Sequence, residues 1–173
     1  MTSFRLHGRS GQGIRTAGRL LAKSCFSSGF NAQCFFYPSE TGYPAEAHIR
    51  IDKKPIITKE PVREPDYVLI MDMGLDIRSI LSDIKDGTVI ILNSQSRKKL
   101  VAKKKTKQYS IDATGIAAKN LKKSMPNTAV LGALARIYAN LSIKSLKKSA
   151  YPEPGGNNSA CIDEGYKGVK QCS

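Results

Sequence analysis

A chain of 173 residues with an apolar share of 40% is long enough for one domain with its own core, and no run approaches the ~18 consecutive apolar residues of a membrane-spanning helix. Strand pattern begins within three residues of the first methionine, which leaves no room for a signal peptide and makes the cytoplasm the expected location. The formal charge of +14 is uneven: residues 1–84 carry 11 basic and 9 acidic side chains, residues 85–150 carry 15 and 2, and residues 151–173 carry 2 and 3.

That excess centres on Arg97, Lys98 and Lys99 and on Lys103, Lys104, Lys105 and Lys107. Such a surface attracts nucleic acid, an acidic protein or a phosphate-bearing cofactor. Aromatic residues are missing from 68–108, so stacking platforms for single-stranded nucleic acid are lacking there, and a solvated or partner-facing surface is expected. The cysteines, Cys25, Cys34, Cys161 and Cys172, form no Cys-x-x-Cys pair. Their scatter fits neither a zinc site nor an iron–sulfur cluster, and Cys25 is expected to be a buried free thiol.

In chain order, the pattern predicts a strand over residues 3–7, a loop from Gly8 to Gly13, and a helix over 14–28 that is apolar at Ile14, Ala17, Leu20, Leu21 and Cys25 and closed by Gly29. A second strand, Asn31–Tyr37, is rich in aromatics, and two prolines and a glycine make residues 38–44 a loop. Residues 45–52 then alternate strictly, Ala45, Ala47, Ile49 and Ile51 against Glu46, His48, Arg50 and Asp52, so His48 is expected on a solvent-facing side. Asp52 to Pro55 would turn the chain into a hairpin partner at Ile56 and Ile57.

Residues 66–71 form a continuous apolar run of the kind buried on both faces of a parallel sheet, and Asp72 ends it. A short helix carrying Ile77, Ile80, Leu81 and Ile84 follows, then a strand at 88–92, a basic stretch at 97–107 read as a short exposed helix or a loop, and a last strand at 108–111. Helices are predicted at 112–121, after Pro126 with Asn127 and Thr128 as cap, and at 143–148 behind Ser142. The alternation predicts an α/β fold, a three-layer α/β/α domain over residues 1–150 with a mainly parallel or mixed central sheet. Residues 151–173 form a tail beginning with a Pro/Gly-rich linker, in which Asn157 or Asn158 could cap a short docking helix.

The glycine loop is the stretch with chemistry in it. Glycines tolerate positive φ, and the first N–H groups of the following helix are unpaired and partly positive, so an anion fits there. Arg9, Ser10 and Gln12 add side-chain donors, and a phosphate is the natural occupant. The order Gly-x-x-Gly-x-Gly is neither the dinucleotide fingerprint nor a P-loop, and a merely tight strand-to-helix connection is the alternative. For Asp72 the choice lies between a site at a strand end and a cap on the next turn.

The order of motifs resembles the gamma subunit, or gamma domain, of the pyruvate/2-oxoacid:ferredoxin oxidoreductase family. The stretches that carry this resemblance are His7-Gly8-Arg9-Ser10-Gly11-Gln12-Gly13, residues 38–44 running into Ala47-His48-Ile49-Arg50-Ile51-Asp52, Asp112-Ala113-Thr114-Gly115-Ile116-Ala117, and Pro126-Asn127-Thr128-Ala129-Val130-Leu131-Gly132-Ala133. Ser10 stands where the family usually has glycine, and Thr41 where it has arginine.

The resemblance implies a non-catalytic subunit of an enzyme that oxidatively decarboxylates a 2-oxoacid, pyruvate being favoured, to acyl-CoA, with electrons passed to ferredoxin. Thiamine diphosphate and iron–sulfur clusters would sit on partner subunits (alpha, beta and a ferredoxin-like delta), with neither nucleic acid nor membrane as partner. Gly8, Arg9, Ser10, Gly11, Gln12 and Gly13 would contact coenzyme A or fix a loop at a subunit interface. The competing readings are a free-standing nucleotide- or CoA-binding protein and a basic nucleic-acid-binding domain.

Overall fold

The computed structural model describes residues 1–37, 44–150 and 157–173. Strand β1 (Thr2–Gly8) and helix α1 (Ile14–Phe26) lead to β2 (Asn31–Tyr37) and β3 (Ala45–Asp52). Strand β4 (Tyr67–Ile70), the one-turn α2 (Ile77–Ile80), β5 (Val89–Asn93) and β6 (Lys107–Ile111) complete the sheet proper. Helices α3 (Ala113–Leu121), α4 (Asn127–Ile137), α5 (Ile143–Ser149) and α6 (Asn158–Gly168) follow, then a two-residue strand β7 (Lys170–Gln171).

The described strands form one mixed sheet in the order β2-β3-β1-β4-β5-β6-β7. Strands β1, β4, β5 and β6 are parallel, whereas β3 runs antiparallel to both β1 and β2, and β7 antiparallel to β6. Period-two alternation sorts the side chains between two cores. Phe4, Leu6, Ala47, Ile49, Ile51, Leu69 and Ile91 face α1, α4 and α6, while Val68, Ile70, Ile90 and Leu92 face Ile80, Leu81, Ile84 and Leu100. The second helical layer is thus slight, one turn of α2 backed by irregular chain.

Four expectations change. The helix expected through Ile84 stops at Ile80, although Leu81 and Ile84 still bury their side chains in the smaller core. Ile56 and Ile57 form no hairpin strand, because β1 and β2 already occupy both edges of β3. Asn127 is the first residue of α4 rather than a cap before it, with Pro126 at the cap position. His48 is buried, not solvent-facing: residues 57–64 cross the polar side of β3, where Val62 N donates to His48 Nδ1 at 2.9 Å and Arg50 Nη2 donates to Glu60 O at 2.6 Å. Alternation reports which side chains share a face, and chain folded back from elsewhere decides whether that face stays wet.

The basic stretch is irregular over 97–106 before β6 begins at Lys107. The chain's end packs closely. Helix α6 starts at an Asn157 cap, whose Oδ1 accepts from Ala160 N at 3.2 Å, and it crosses α4 at Gly132 and Gly165. A Cβ at Gly132 would lie 2.2 Å from Ile162 O, and one at Gly165 2.1 Å from Ala129 O, so only glycine lets the two backbones approach this far.

Candidate functional site

The glycine loop sits where β1 ends, and Met71 N at the end of β4 donates to His7 O at 2.8 Å. Three side chains lash it to the turn after β4. Gln12 Oε1 accepts from Arg9 N at 2.8 Å while Gln12 Nε2 donates to Asp72 Oδ2 at 3.0 Å. Arg9 Nε reaches Asp72 Oδ2 at 3.1 Å, and Arg9 Nη2 donates to Gly74 O at 2.9 Å. Asp72 also accepts from Gly74 N at 2.8 Å, so its carboxylate serves the loop on both sides. Gln12 therefore shapes the loop, and Arg9 does so with one edge of a guanidinium that is otherwise exposed.

Gly11 and Gly13 adopt φ +87° and +77°, where a side chain would be strained. Gly13 caps α1 with no side-chain hydrogen bond, and no acid stands in the first turn, so the helix's unpaired N–H groups keep their partial positive charge. Beside Gly13 stands the start of α4, with Asn127 Nδ2 only 2.4 Å from where a Gly13 Cβ would be. The first and last motifs of the family resemblance thus meet in space.

Over this junction lies a groove of about 540 Å3. One wall is Arg9, Ser10, Gly11 and Gly13 with the first residues of α1, Ile14 and Arg15; the other is Phe36, Ala45 and Met125. The Arg15 guanidinium carbon is 4.5 Å from the centroid of the Phe36 ring, a cation–π contact that holds the charge over the groove. Among the described residues no carboxylate lines it. Two guanidinium groups, an uncapped helix N-terminus and an apolar wall suit a phosphate attached to a larger organic body.

Gly8 lies under the loop, its missing Cβ replaced by the Ile14 side chain. Arg15, Phe36 and Met125 are absent from the sequence reading of the site. Arg15 is legible in hindsight as the basic residue two positions past Gly13, but Phe36 and Met125 arrive from distant chain.

On the opposite face of the sheet, Glu46 lies between two histidines. His48 Nδ1 accepts from Val62 N, so its proton resides on Nε2, which faces Glu46 Oε2 at 3.0 Å. His7 Nδ1 is 3.3 Å from Glu46 Oε1 without hydrogen-bond geometry. Burial lowers the His7 pKa despite the carboxylate, and the two imidazoles hold the Glu46 carboxyl well below the usual range. Burial also pushes the Cys25 and Cys34 thiols up to about 11, which keeps them from acting as nucleophiles at neutral pH. Among the described residues no group of three or more His, Cys, Asp or Glu side chains could hold a metal, and no helix is long and apolar enough to cross a membrane.

The mixed sheet, with its glycine loop at the end of β1, defines an α/β protein, and residues 3–168 match the family model described as pyruvate ferredoxin/flavodoxin oxidoreductase. The chain belongs to that family, as a gamma-type subunit. It is 40% identical over 151 residues to the pyruvate synthase subunit PorC of Methanothermobacter marburgensis, covering 86% of this chain and 84% of that one. It is 36% identical to the common gamma subunit of the pyruvate/ketoisovalerate oxidoreductases of Pyrococcus furiosus, over 96% of each chain.

Among solved structures, the pyruvate oxidoreductase subunit PORC of Thermotoga maritima superposes with a TM-score of 0.84 at 28% identity, covering 99% of this chain and 98% of that one. A 2-oxoglutarate:ferredoxin oxidoreductase of Magnetococcus marinus, solved with 2-oxoglutarate, coenzyme A and succinyl-CoA, shares the fold with a TM-score of 0.75 at 20% identity. There the match covers 96% of this chain but 30% of that one, so this fold is one part of a longer polypeptide.

Proposed function

We propose that this gamma subunit serves a cytoplasmic enzyme that oxidises pyruvate to acetyl-CoA and passes the electrons to ferredoxin, and that its glycine groove receives a phosphate of coenzyme A. The observation that carries the coenzyme A reading is the groove itself: a helix N-terminus without a side-chain cap and two arginines beside an apolar wall, with no carboxylate among the described lining residues. The PorC relatives are named as subunits of pyruvate synthase, which supports pyruvate as the 2-oxoacid. Companion alpha and beta subunits and a ferredoxin-like delta subunit supply thiamine diphosphate and the iron–sulfur clusters. Gly8, Gly11 and Gly13 give the loop its shape, Ser10, Arg15 and the open edge of Arg9 face the phosphate, and Gln12 holds the loop in register.

The test begins with anaerobic recovery of the tagged chain from its host. Companion subunits and CoA-dependent reduction of a viologen dye by pyruvate, in preference to other 2-oxoacids, are expected. In that complex Arg15→Ala should raise KM for coenzyme A about tenfold, the worth of one charge-assisted hydrogen bond, with little change in KM for pyruvate. A lone chain that binds coenzyme A without companions would replace the subunit reading with the free-standing one. An unchanged KM for coenzyme A would return the groove to a loop at a subunit interface.

A further inference from the structure

The lysine-rich connection from β5 to β6 is held more firmly than a solvated tether requires. Residues 94–106 contain neither helix nor strand, yet they are pinned along their length. Arg97 O accepts from Ser173 N at 3.0 Å. The buried Gln108 side chain grips Leu100 from both sides, Oε1 accepting from Leu100 N at 2.7 Å and Nε2 donating to Leu100 O at 3.0 Å. Lys105 N donates to Asp86 Oδ1 at 2.8 Å, and Lys105 O accepts from Gly87 N at 2.8 Å.

Leu100 and Ala102 rest on the smaller core, and Val101 between them is 100% exposed. On either side, Lys98, Lys99, Lys103, Lys104 and Lys105 are exposed. Elsewhere Lys85, Lys119 and Lys147 pair with Asp66, Glu164 and Asp163, but among the described residues none of these five ammonium groups meets a carboxylate. The result is a rigid backbone displaying a dense, uncompensated positive charge around one apolar tip.

Permanent interfaces are depleted of charge at their centres, and lysine is among the residues they exclude most. Charge-steered, short-lived encounters are built the other way, with like charges on one partner and complementary charges on the other. Pinning lowers the ordering cost of such an encounter. We propose that residues 97–105 are a docking site for an acidic protein that associates transiently, namely the protein electron carrier reduced by the assembled enzyme. The site is separate from the glycine groove: Lys105 meets the turn before β5, at the end of the parallel strands away from the loop that follows β1. The carrier's identity rests on the oxidoreductase reading above.

The test uses the assembled enzyme carrying Lys98→Glu, Lys99→Glu, Lys103→Glu and Lys104→Glu together. Reduction is measured with a small acidic ferredoxin and, separately, with a viologen dye. The expected result is a KM for ferredoxin raised tenfold or more, unchanged turnover with the dye, and an intact set of subunits. The unaltered enzyme's KM for ferredoxin should also rise between 50 and 300 mM salt, and the variant's should not.

In parallel, zero-length carboxyl-to-amine cross-linking of unaltered enzyme to ferredoxin should join ferredoxin carboxylates to Lys98–Lys105. Cross-links confined to other lysines would overturn the proposal even if the variant failed to assemble. An unchanged KM would also overturn it, as would loss of a companion subunit, which would make the loop a permanent interface. Salt-sensitive retention of RNA with unchanged ferredoxin kinetics would make it a nucleic-acid surface instead. Failure of the oxidoreductase reading shows itself separately, as absence of dye reduction in the unaltered enzyme.

Discussion

At Gly11 the backbone conformation and the surrounding space point to different consequences. A Cβ there would meet nothing within 4 Å, but φ is +87°, so Gly11→Val costs about 1–2 kcal/mol of backbone strain without a packing clash. The same change would turn the N–H groups of the loop away from the groove. Urea midpoints and the coenzyme A dependence of dye reduction, compared on one preparation, should therefore show a modest stability loss and a much larger activity loss. Equal losses would mean that the loop is only a connection.

Two other residues set a pH dependence. His7 binds its proton more weakly in the folded chain than at its ordinary pKa of 6.5, because burial outweighs the attraction of Glu46. On acidification below about 6.5 the unfolded chain is protonated first, so stability falls as pH falls. Glu46 slopes the same way further down, since its folded carboxyl titrates well below the ordinary 4.5 and its contribution is lost only in stronger acid. Urea unfolding of the isolated subunit should show stability dropping between pH 7 and 5, with His7→Asn flattening that drop. A flat profile in the unaltered chain would contradict the assignment.

At the scale of elements, the contact most sensitive to a single methyl group is the crossing of α4 and α6. Gly132→Ala must force Ile162 O away from a Cβ placed 2.2 Å from it, and the obstacle is backbone rather than a side chain that can rotate. Overpacking of this kind costs about 1–3 kcal/mol. Gly165→Ala should cost about as much by pressing on Ala129 O, and the double variant should lose less than the sum, because helices already parted by one methyl have room for the second. Additive losses in urea melts would show that the two glycines act independently. The glycine loop shows element-scale economy of another kind. It is held by Asp72 from β4's end and lies against the start of α4, so its shape depends on two elements distant in sequence.

For the whole molecule, charge is the dominant feature. A net +14 on one subunit repels itself, and residues 85–150 carry 15 basic side chains against 2 acidic ones. The isolated subunit should accordingly melt at a lower temperature in 10 mM salt than in 200 mM, and the gap should shrink once companions are bound. A melting temperature indifferent to salt would mean that the lysines are too far apart for their repulsion to matter.

Much of this was readable along the chain, because it depends on neighbours in sequence. The strands and helices follow from local periodicity, with Asn157, Asp112 and Asp76 accepting at helix starts as short polar side chains do. The glycine loop, its helix and the basic tract are likewise contiguous stretches, and so are the motifs that the family shares. What tertiary structure alone decided was which distant groups meet. Phe36 and Met125 line the groove, Asp72 takes up Gln12 and part of Arg9, and residues 57–64 bury His48 on a face that alternation marks as polar. The physical reason is one of range: propensity and periodicity act over a few residues, whereas a binding groove is made where the ends of separate strands and helices are brought together by burying a common core.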